Sequence, residues 1–117
     1  MAEQRRRPRE EDAYNDYLLY LQPRFPRLRL WINGTKYRDE RGVWHNGGLK
    51  QSEGMADLVG WVNGIWLEVE VKTATGRQKL RQEQHQALVE AHGGIYVLAR
   101  TPAAAEAGIR AALAVRS

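Results

Sequence analysis

An Asn-Gly pair at positions 63 and 64 constrains the fold of this chain more than any other feature. It lies between two segments rich in strand-forming residues, 57–62 and 65–72. A two-residue type I′ turn needs positive φ at both central residues, and Asn followed by Gly meets that need at low cost. The sequence therefore predicts a tight β-hairpin with these two segments as its strands.

The two-residue turn also predicts the register of the hairpin. If Val62 pairs with Ile65, the pairs that follow along the strands place Asp57 opposite Glu70. Side chains alternate between faces, so one face carries Ile65, Leu67, Val69 and Val71 and the other carries Trp66, Glu68, Glu70 and Lys72. Directly opposed like charges destabilise a strand pair. Two facing carboxylates therefore require a compensating cation.

Lys72 lies on the same face and supplies one positive charge. A divalent metal ion would supply the rest, because Mg²⁺ commonly binds one or two carboxylates together with phosphate and water. The hairpin thus predicts a metal site with a lysine beside it, suited to a phosphate substrate. The alternative is an amphipathic strand whose charged face is solvated. A β-bulge would break the register on which the pairing depends.

Composition limits the remaining possibilities. The 117 residues suffice for one domain, and 43% hydrophobic and 27% charged residues are typical of a globular protein. The lack of cysteine excludes disulfides, Cys-ligated zinc and a Cys nucleophile, and it fits a cytoplasmic protein. We expect neither a membrane span nor a secretory signal. A net charge of +4 favours a polyanionic partner, of which nucleic acid is the commonest.

Residues 1–9 are polar and Arg-rich, and they are predicted to form a flexible basic arm before a single domain at 10–117. Helical spacing follows from about Glu10. Its apolar stripe consists of Tyr14, Tyr17, Leu18 and Leu21. Glu10 can share that stripe. The alternative for Glu10 and Glu11 is that they only complement the helix dipole.

Residues 35–54 are predicted to be irregular, with basic and aromatic residues interleaved, a composition that suits binding along a nucleic-acid backbone. The candidate DNA contacts are Lys36, Arg38 and Lys50, with Arg77 in the turn after the hairpin. The alternative for the 35–54 segment is a hairpin that packs Trp44 on the core.

The remaining elements complete an alternating pattern. A strand is predicted at 28–32, a helix from about Lys79 to Ala91, a buried central strand at 95–99, and a helix that begins at Thr101-Pro102. The buried stripe of the 79–91 helix is predicted to contain Leu80, Ala87, Leu88 and Ala91, with Gln84 on it, while His85 and His92 face solvent. The alternative for Gln84 is that it lies at the exposed edge of the helix. The order α-β-β-β-α-β-α predicts an α/β fold with a mixed central sheet flanked by helices.

Three short motifs carry a family resemblance. Gly54-Met55-Ala56-Asp57-Leu58, then Glu70-Val71-Lys72, then Gln82-Glu83-Gln84 resemble the PD-(D/E)xK nuclease superfamily. Within it, the chain is most similar to the virus-type replication-repair nuclease (VRR-NUC) family, over most of its length. The resemblance implies a restriction-endonuclease-like core. The chain has Ala56 where the family commonly has proline, Glu68 before the second motif, and a slightly longer spacing from Lys72 to Gln84.

The resemblance implies a role for each matching residue. Asp57 and Glu70 match the metal-binding acids, and the Val71 backbone carbonyl matches the third protein ligand. Lys72 matches the lysine that positions or activates the attacking water, and Gln84 is taken as the glutamine that completes the motif. Glu10 is the best match to a helix-one glutamate of the family that also serves the metal.

The implied activity is hydrolysis of DNA phosphodiester bonds by an endonuclease that uses Mg²⁺ or Mn²⁺. Small free-standing members of such families tend to be homodimers, which would allow paired nicks in branched DNA such as a four-way junction or flap during phage or bacterial replication and repair. Two alternatives stay open: a non-catalytic DNA-binding module that has kept the fold, and a nuclease subunit that acts only with a partner.

Overall fold

The computed structural model describes the backbone of residues 8–34, 36–38, 40–46, 54–73 and 76–116, and the side chains of 12–34, 40–43, 54–73 and 76–116. Its elements in chain order are α1 (Pro8–Leu21), a 3₁₀ turn (Gln22–Arg24), β1 (Leu28–Ile32), β2 (Lys36–Arg38), β3 (Trp44–Asn46), β4 (Leu58–Val62), β5 (Ile65–Val71), α2 (Leu80–Ala91), β6 (Ile95–Ala99) and α3 (Pro102–Val115). None of the helices in the described residues is long and apolar enough to cross a membrane.

Four strands form one mixed sheet in the order β1-β4-β5-β6. β1, β4 and β5 pair antiparallel, and β6 runs parallel to β5. Side chains of α1 and α3 pack on one face of the sheet, and α2 packs on the other. These features confirm the predicted α/β fold with a mixed central sheet flanked by helices.

The β4–β5 hairpin has the predicted register. Val62 pairs with Ile65, and the ladder ends with Leu58 opposite Val69. The turn residues Asn63 and Gly64 have φ of 52° and 79°, the positive values that a type I′ turn needs. Glu70 is therefore the first residue of β5 beyond the paired part of β4, at the end of the hairpin where Asp57 enters.

The core lies between the apolar face of the sheet and the helices α1 and α3. In α1, Tyr17 and Leu21 are buried, with Tyr14 and Leu18 partly buried against them, as the helical spacing predicts. In α3, Ala105 and Ile109 are buried. Thr101 caps α3 as predicted, because its hydroxyl accepts a hydrogen bond of 3.0 Å from the Ala104 N–H.

Three predictions about the elements need correction. α1 begins at Pro8, earlier than expected, and the rest of the predicted arm, 1–7, lies outside the described residues. The segment predicted to be irregular contains a separate antiparallel ribbon of β2 and β3, favoured by strand-forming Tyr37 and Trp44. β6 is an edge strand of the sheet, and it is apolar because helices cover both of its faces.

Candidate functional site

Asp57 occupies a bend just before β4, one position beyond the last pair of the β4–β5 ladder. Its carboxylate Oδ2 accepts a hydrogen bond of 3.0 Å from the Val71 N–H. Its backbone carbonyl accepts one of 2.8 Å from the Asn33 N–H. The Asp57 carboxylate is therefore held against the end of β5, on the opposite strand of the hairpin.

Glu70 is a buried carboxylate next to Asp57. Its side chain is nearly inaccessible, and burial raises its pKa, as does the negative charge of Asp57. Lys72 and the Asp57 backbone N–H lie close enough to lower the pKa in part. The structure thus brings the two predicted acids together, close enough for the charge of one to affect the other.

Glu70 has one satisfied and one unsatisfied oxygen. Oε2 accepts a hydrogen bond of 2.8 Å from Gln82 Nε2 and lies 3.4 Å from Lys72 Nζ. Oε1 is buried and has no hydrogen-bond partner of ordinary geometry. A buried polar atom without a partner is uncommon in native proteins and points to an ion or water that completes the site.

Lys72 and Gln82 complete the polar cluster. Lys72 Nζ donates a hydrogen bond of 2.9 Å to Gln82 Oε1, and its side chain is 13% exposed. Gln82 is the third residue of α2, and its Oε1 also accepts from the Lys79 N–H at 3.0 Å. The side-chain amide of Gln82 therefore bridges the lysine and the acid while it caps the helix.

Gln84 is exposed on α2, which corrects its place on the buried stripe and confirms the alternative of an exposed edge. The predicted buried stripe is also wrong, because Leu80 and Leu88 are 67% and 54% exposed. The face of α2 turned to the sheet carries Gln82, His85, Gln86 and Val89. This face is polar because it covers the acidic face of β5, and buried acids need hydrogen-bond donors.

Sequence reasoning missed a second buried acid on the same face. Glu68 is 1% exposed, and its carboxylate accepts hydrogen bonds from Ala56 N–H at 3.2 Å, Trp66 Nε1 at 2.8 Å and His85 Nε2 at 3.0 Å. His85 was predicted to face solvent and instead contacts Glu68, whereas His92 is exposed as predicted. The signal for these contacts is the Glu-x-Glu alternation on one strand face, which requires donors from the covering helix.

Tyr96 borders the same cluster from β6. Its hydroxyl is buried without a hydrogen-bond partner of ordinary geometry. Burial and the negative charge of Glu70 raise the pKa of Tyr96, so the hydroxyl stays protonated. The Gln78 side chain lies close enough to Tyr96 to lower this pKa in part, but neither Tyr96 Oη nor Glu70 Oε1 has a hydrogen-bond partner of ordinary geometry.

The backbone of Val71 faces the two acids. Lys72 N–H donates to the Ala99 carbonyl in β6, and backbone groups of consecutive strand residues point to opposite edges of a strand. The N–H and C=O of Val71 therefore point toward the β4 edge, where Asp57 lies.

The other predicted site residues are described only in part. Arg77 is exposed in the segment between β5 and α2. Lys36 and Arg38 have backbone positions in β2, and Glu10 has one in α1, but their side chains lie outside the described residues, as does the whole of Lys50. The structure therefore does not place these side chains relative to the acids.

The donor set fits a hard divalent cation only in part. Among the described side chains, no three from His, Asp or Glu converge on one point. Asp57 and Glu70 do converge, with an unsatisfied carboxylate oxygen and a backbone carbonyl beside them. Mg²⁺ needs one or two carboxylates and takes its other ligands from water and phosphate. The residues present therefore suit Mg²⁺ or Mn²⁺ better than they suit a metal ion that takes all of its ligands from protein side chains.

Models of known protein families do not match this chain, and curated protein sequences do not match it either.

Proposed function

We propose that this chain is a metal-dependent DNA endonuclease of the VRR-NUC type. The observation that carries the proposal is the buried Glu70 oxygen without a partner, next to a second acid and a lysine. Placing the buried Glu70 carboxylate beside the partly buried Asp57 carboxylate costs free energy unless cations neutralise them, and Lys72 supplies only one positive charge. A purely structural role would not need this unfavourable arrangement.

Asp57, Glu70 and the Val71 carbonyl would hold Mg²⁺ or Mn²⁺, and Glu10 is a further candidate ligand. When bound, such an ion polarises the phosphate and lowers the pKa of bound water. In the hydrolysis, a water oxygen bonds to phosphorus, a bridging P–O bond breaks, and the departing oxygen takes a proton.

Lys72 is the residue that orients the attacking water and offsets the negative charge that develops on the phosphate. Its ammonium is fixed by Gln82, whose amide also holds Glu70. Gln82 thus takes the role that Gln84 was expected to have. An amide suits this position, because it donates to the acid through nitrogen and accepts from the lysine through oxygen.

Branched DNA, such as a four-way junction or flap, is the proposed substrate, in the cytoplasm of a bacterial or phage-infected cell. This part rests on the family resemblance and on the net charge of +4. One site of this kind cuts one strand. A homodimer would supply two sites for paired nicks, and Lys36, Arg38, Lys50 and Arg77 would contact the backbone.

The test is incubation of the protein with linear, nicked, flapped and four-way DNA, with Mg²⁺, with Mn²⁺ and with a chelator. The proposal expects metal-dependent cleavage, greatest on a branched substrate. DNA binding without cleavage, and without stabilisation by either metal, would support a non-catalytic DNA-binding module instead. Metal binding without cleavage of any DNA would support a nuclease subunit that needs a partner.

A further inference from the structure

Glu68 is the most deeply buried charged side chain among the described residues, at 1% exposure. Removing a carboxylate from water is costly unless hydrogen bonds replace its hydration. Here Oε1 accepts from the Ala56 N–H, and Oε2 accepts from Trp66 Nε1 and His85 Nε2. Because the carboxylate accepts from all three, Glu68 ties together β5, α2 and the segment before β4.

The contact with Ala56 matters because Asp57 is the next residue. Asp57 lies outside the β4–β5 ladder, so pairing with β5 does not fix its backbone. The segment is held instead at Ala56 and Asp57: Asn33 binds the Ala56 carbonyl at 3.1 Å and the Asp57 carbonyl at 2.8 Å, and Glu68 binds the Ala56 N–H at 3.2 Å. Of these contacts, the one from Glu68 comes from the strand that also carries Glu70.

Packing against α2 supports the same segment. Gly54 has φ of +87°, and a Cβ at this position would lie 2.3 Å from the Arg81 carbonyl oxygen. The chain therefore passes close to the backbone of α2 immediately before Ala56. His85, one turn after Arg81, reaches Glu68 from the same helix. Because a carboxylate only accepts, His85 Nε2 carries the proton and donates it in this hydrogen bond.

We propose that Glu68 and His85 are positioning residues that fix the Ala56–Asp57 backbone, and thereby the Asp57 carboxylate, beside Glu70. The assignment of Asp57 as a metal ligand rests on the proposed nuclease function. The mechanical part of the proposal, that Glu68 holds the Ala56–Asp57 backbone in place, does not depend on that function. Groups that orient a metal ligand affect metal affinity or activity about 10–100-fold in known metal sites.

Amide hydrogen exchange in the metal-free protein tests the mechanical part. Glu68→Met keeps an extended side chain of similar length but removes both acceptor oxygens. We expect the Ala56 amide to exchange at least about 10-fold faster relative to the Val69 amide, which lies in the strand ladder. Glu68→Gln keeps one acceptor oxygen and should give a smaller change. The matched control is Glu83→Met, the same substitution at an exposed position on α2.

Manganese titration of the same variants tests the link to the site. We expect the Mn²⁺ concentration for half-maximal cleavage to rise about 10–100-fold in Glu68→Met, with kcat at saturating Mn²⁺ changed much less. His85→Gln, which keeps an N–H donor, should retain more of the parent's metal affinity than His85→Phe, which keeps only the ring contact with Tyr96. A loss of packing alone would not separate these two variants in this way.

The outcomes distinguish the positioning role of Glu68 from its effect on the metal site. Unchanged Ala56 exchange in Glu68→Met, relative to Val69, would overturn the positioning role. Faster exchange with an unchanged Mn²⁺ midpoint would overturn the link to the metal site. If the parent protein neither binds Mn²⁺ nor cuts DNA, the proposed function fails, and the exchange experiment still decides whether Glu68 holds the Asp57 segment.

Discussion

Gln82 and Glu70 are joined by a hydrogen bond of 2.8 Å from the side-chain amide nitrogen to the carboxylate. The same amide accepts a hydrogen bond from Lys72 through its oxygen. One side chain at the start of α2 therefore holds two of the three charged groups of the candidate site, Glu70 and Lys72. Since Gln84 lies two residues further on the exposed side of the helix, the chain offers a matched pair for testing this role.

Gln82→Ala should lower the rate of metal-dependent DNA cleavage by about 10-fold or more. Loss of a residue that hydrogen-bonds to a metal ligand commonly has an effect of this size. Gln84→Ala removes the same side chain at an exposed position and should cleave at the parent rate. Single-turnover cleavage at saturating Mn²⁺ measures both variants. A larger loss of cleavage in Gln84→Ala than in Gln82→Ala would show that Gln84, as the sequence predicts, is the glutamine that serves the site.

Glu70→Gln should change how stability depends on pH. Burial and Asp57 raise the pKa of Glu70 from its ordinary 4.5, so the folded state holds this proton more tightly than the unfolded state. The free energy of unfolding therefore falls as pH rises from about 4.5 through the raised pKa. The variant does not ionise there, so without metal its Tm near pH 7 should exceed that of the parent by a few degrees.

Thermal unfolding between pH 4 and pH 8 measures this effect, and the difference in Tm should shrink toward pH 4. Added Mn²⁺ should raise the Tm of the parent and leave that of Glu70→Gln nearly unchanged, because a ligand that binds only the folded state stabilises it. A variant less stable than the parent by the same amount at every pH would show that Glu70 is not destabilised by its surroundings.

Lys72→Met should lower cleavage by about 100-fold or more, the size of effect seen when one preorganised electrostatic group is removed from an active site. Mn²⁺ should bind at least as tightly as in the parent, because a repelling cation next to Glu70 is lost. Lys72→Arg should not restore activity, since a guanidinium differs from an ammonium in shape and in hydrogen bonding. Full activity in either variant would exclude the lysine from the chemistry.

Arg77→Ala should weaken DNA binding uniformly across sequences and reduce the salt dependence of the affinity, as the loss of one phosphate contact does. Arg27→Ala is the control. It removes the same charge from another exposed arginine at the opposite end of the sheet, where the Arg27 carbonyl accepts from Asn63 N–H. Fluorescence anisotropy over a range of salt concentrations, with Ca²⁺ or a chelator to prevent cleavage, separates the two. Equal losses would indicate only a general effect of net charge.

The fold was largely predictable because local signals agree with one another. The Asn63-Gly64 turn determines the hairpin register, and apolar spacing in α1 matches the buried face of that helix. These signals depend on residues close in sequence. The edge position of β6 was not predictable from its apolar composition, since an edge strand covered by helices on both faces is as apolar as a central strand.

The candidate site was predictable where it depends on strand alternation, and not where it depends on α2. The proximity of Asp57 to Glu70 follows from counting along the hairpin. The inward face of α2 was misread because its leucines were assumed to be buried, whereas the helix covers acids and turns Gln82 and His85 toward them. A hydrophobic stripe identifies the inner face of a helix only when the surface beneath it is apolar.

Ala56 and Glu68, two positions at which the sequence differs from the family that it resembles, contact each other in the structure. The Ala56 N–H donates to Glu68, and a proline at position 56 would have no N–H to donate. Their hydrogen bond gives a physical reason for the pair that neither residue suggests alone.

The central claim is that Asp57 and Glu70 share a divalent cation and that this cation serves DNA hydrolysis. Asp57→Asn tests it most directly, because the amide oxygen can still accept from the Val71 N–H and so preserve the local structure. The measurement is cleavage of four-way and linear DNA by parent and variant in Mn²⁺, beside the binding of the same DNA in a chelator. We predict cleavage by the parent only, a loss of about 100-fold or more in the variant, and DNA binding that is equal or tighter because a repelling charge is removed. Cleavage by Asp57→Asn at the parent rate, or no metal-dependent cleavage by the parent on any substrate, would contradict the account.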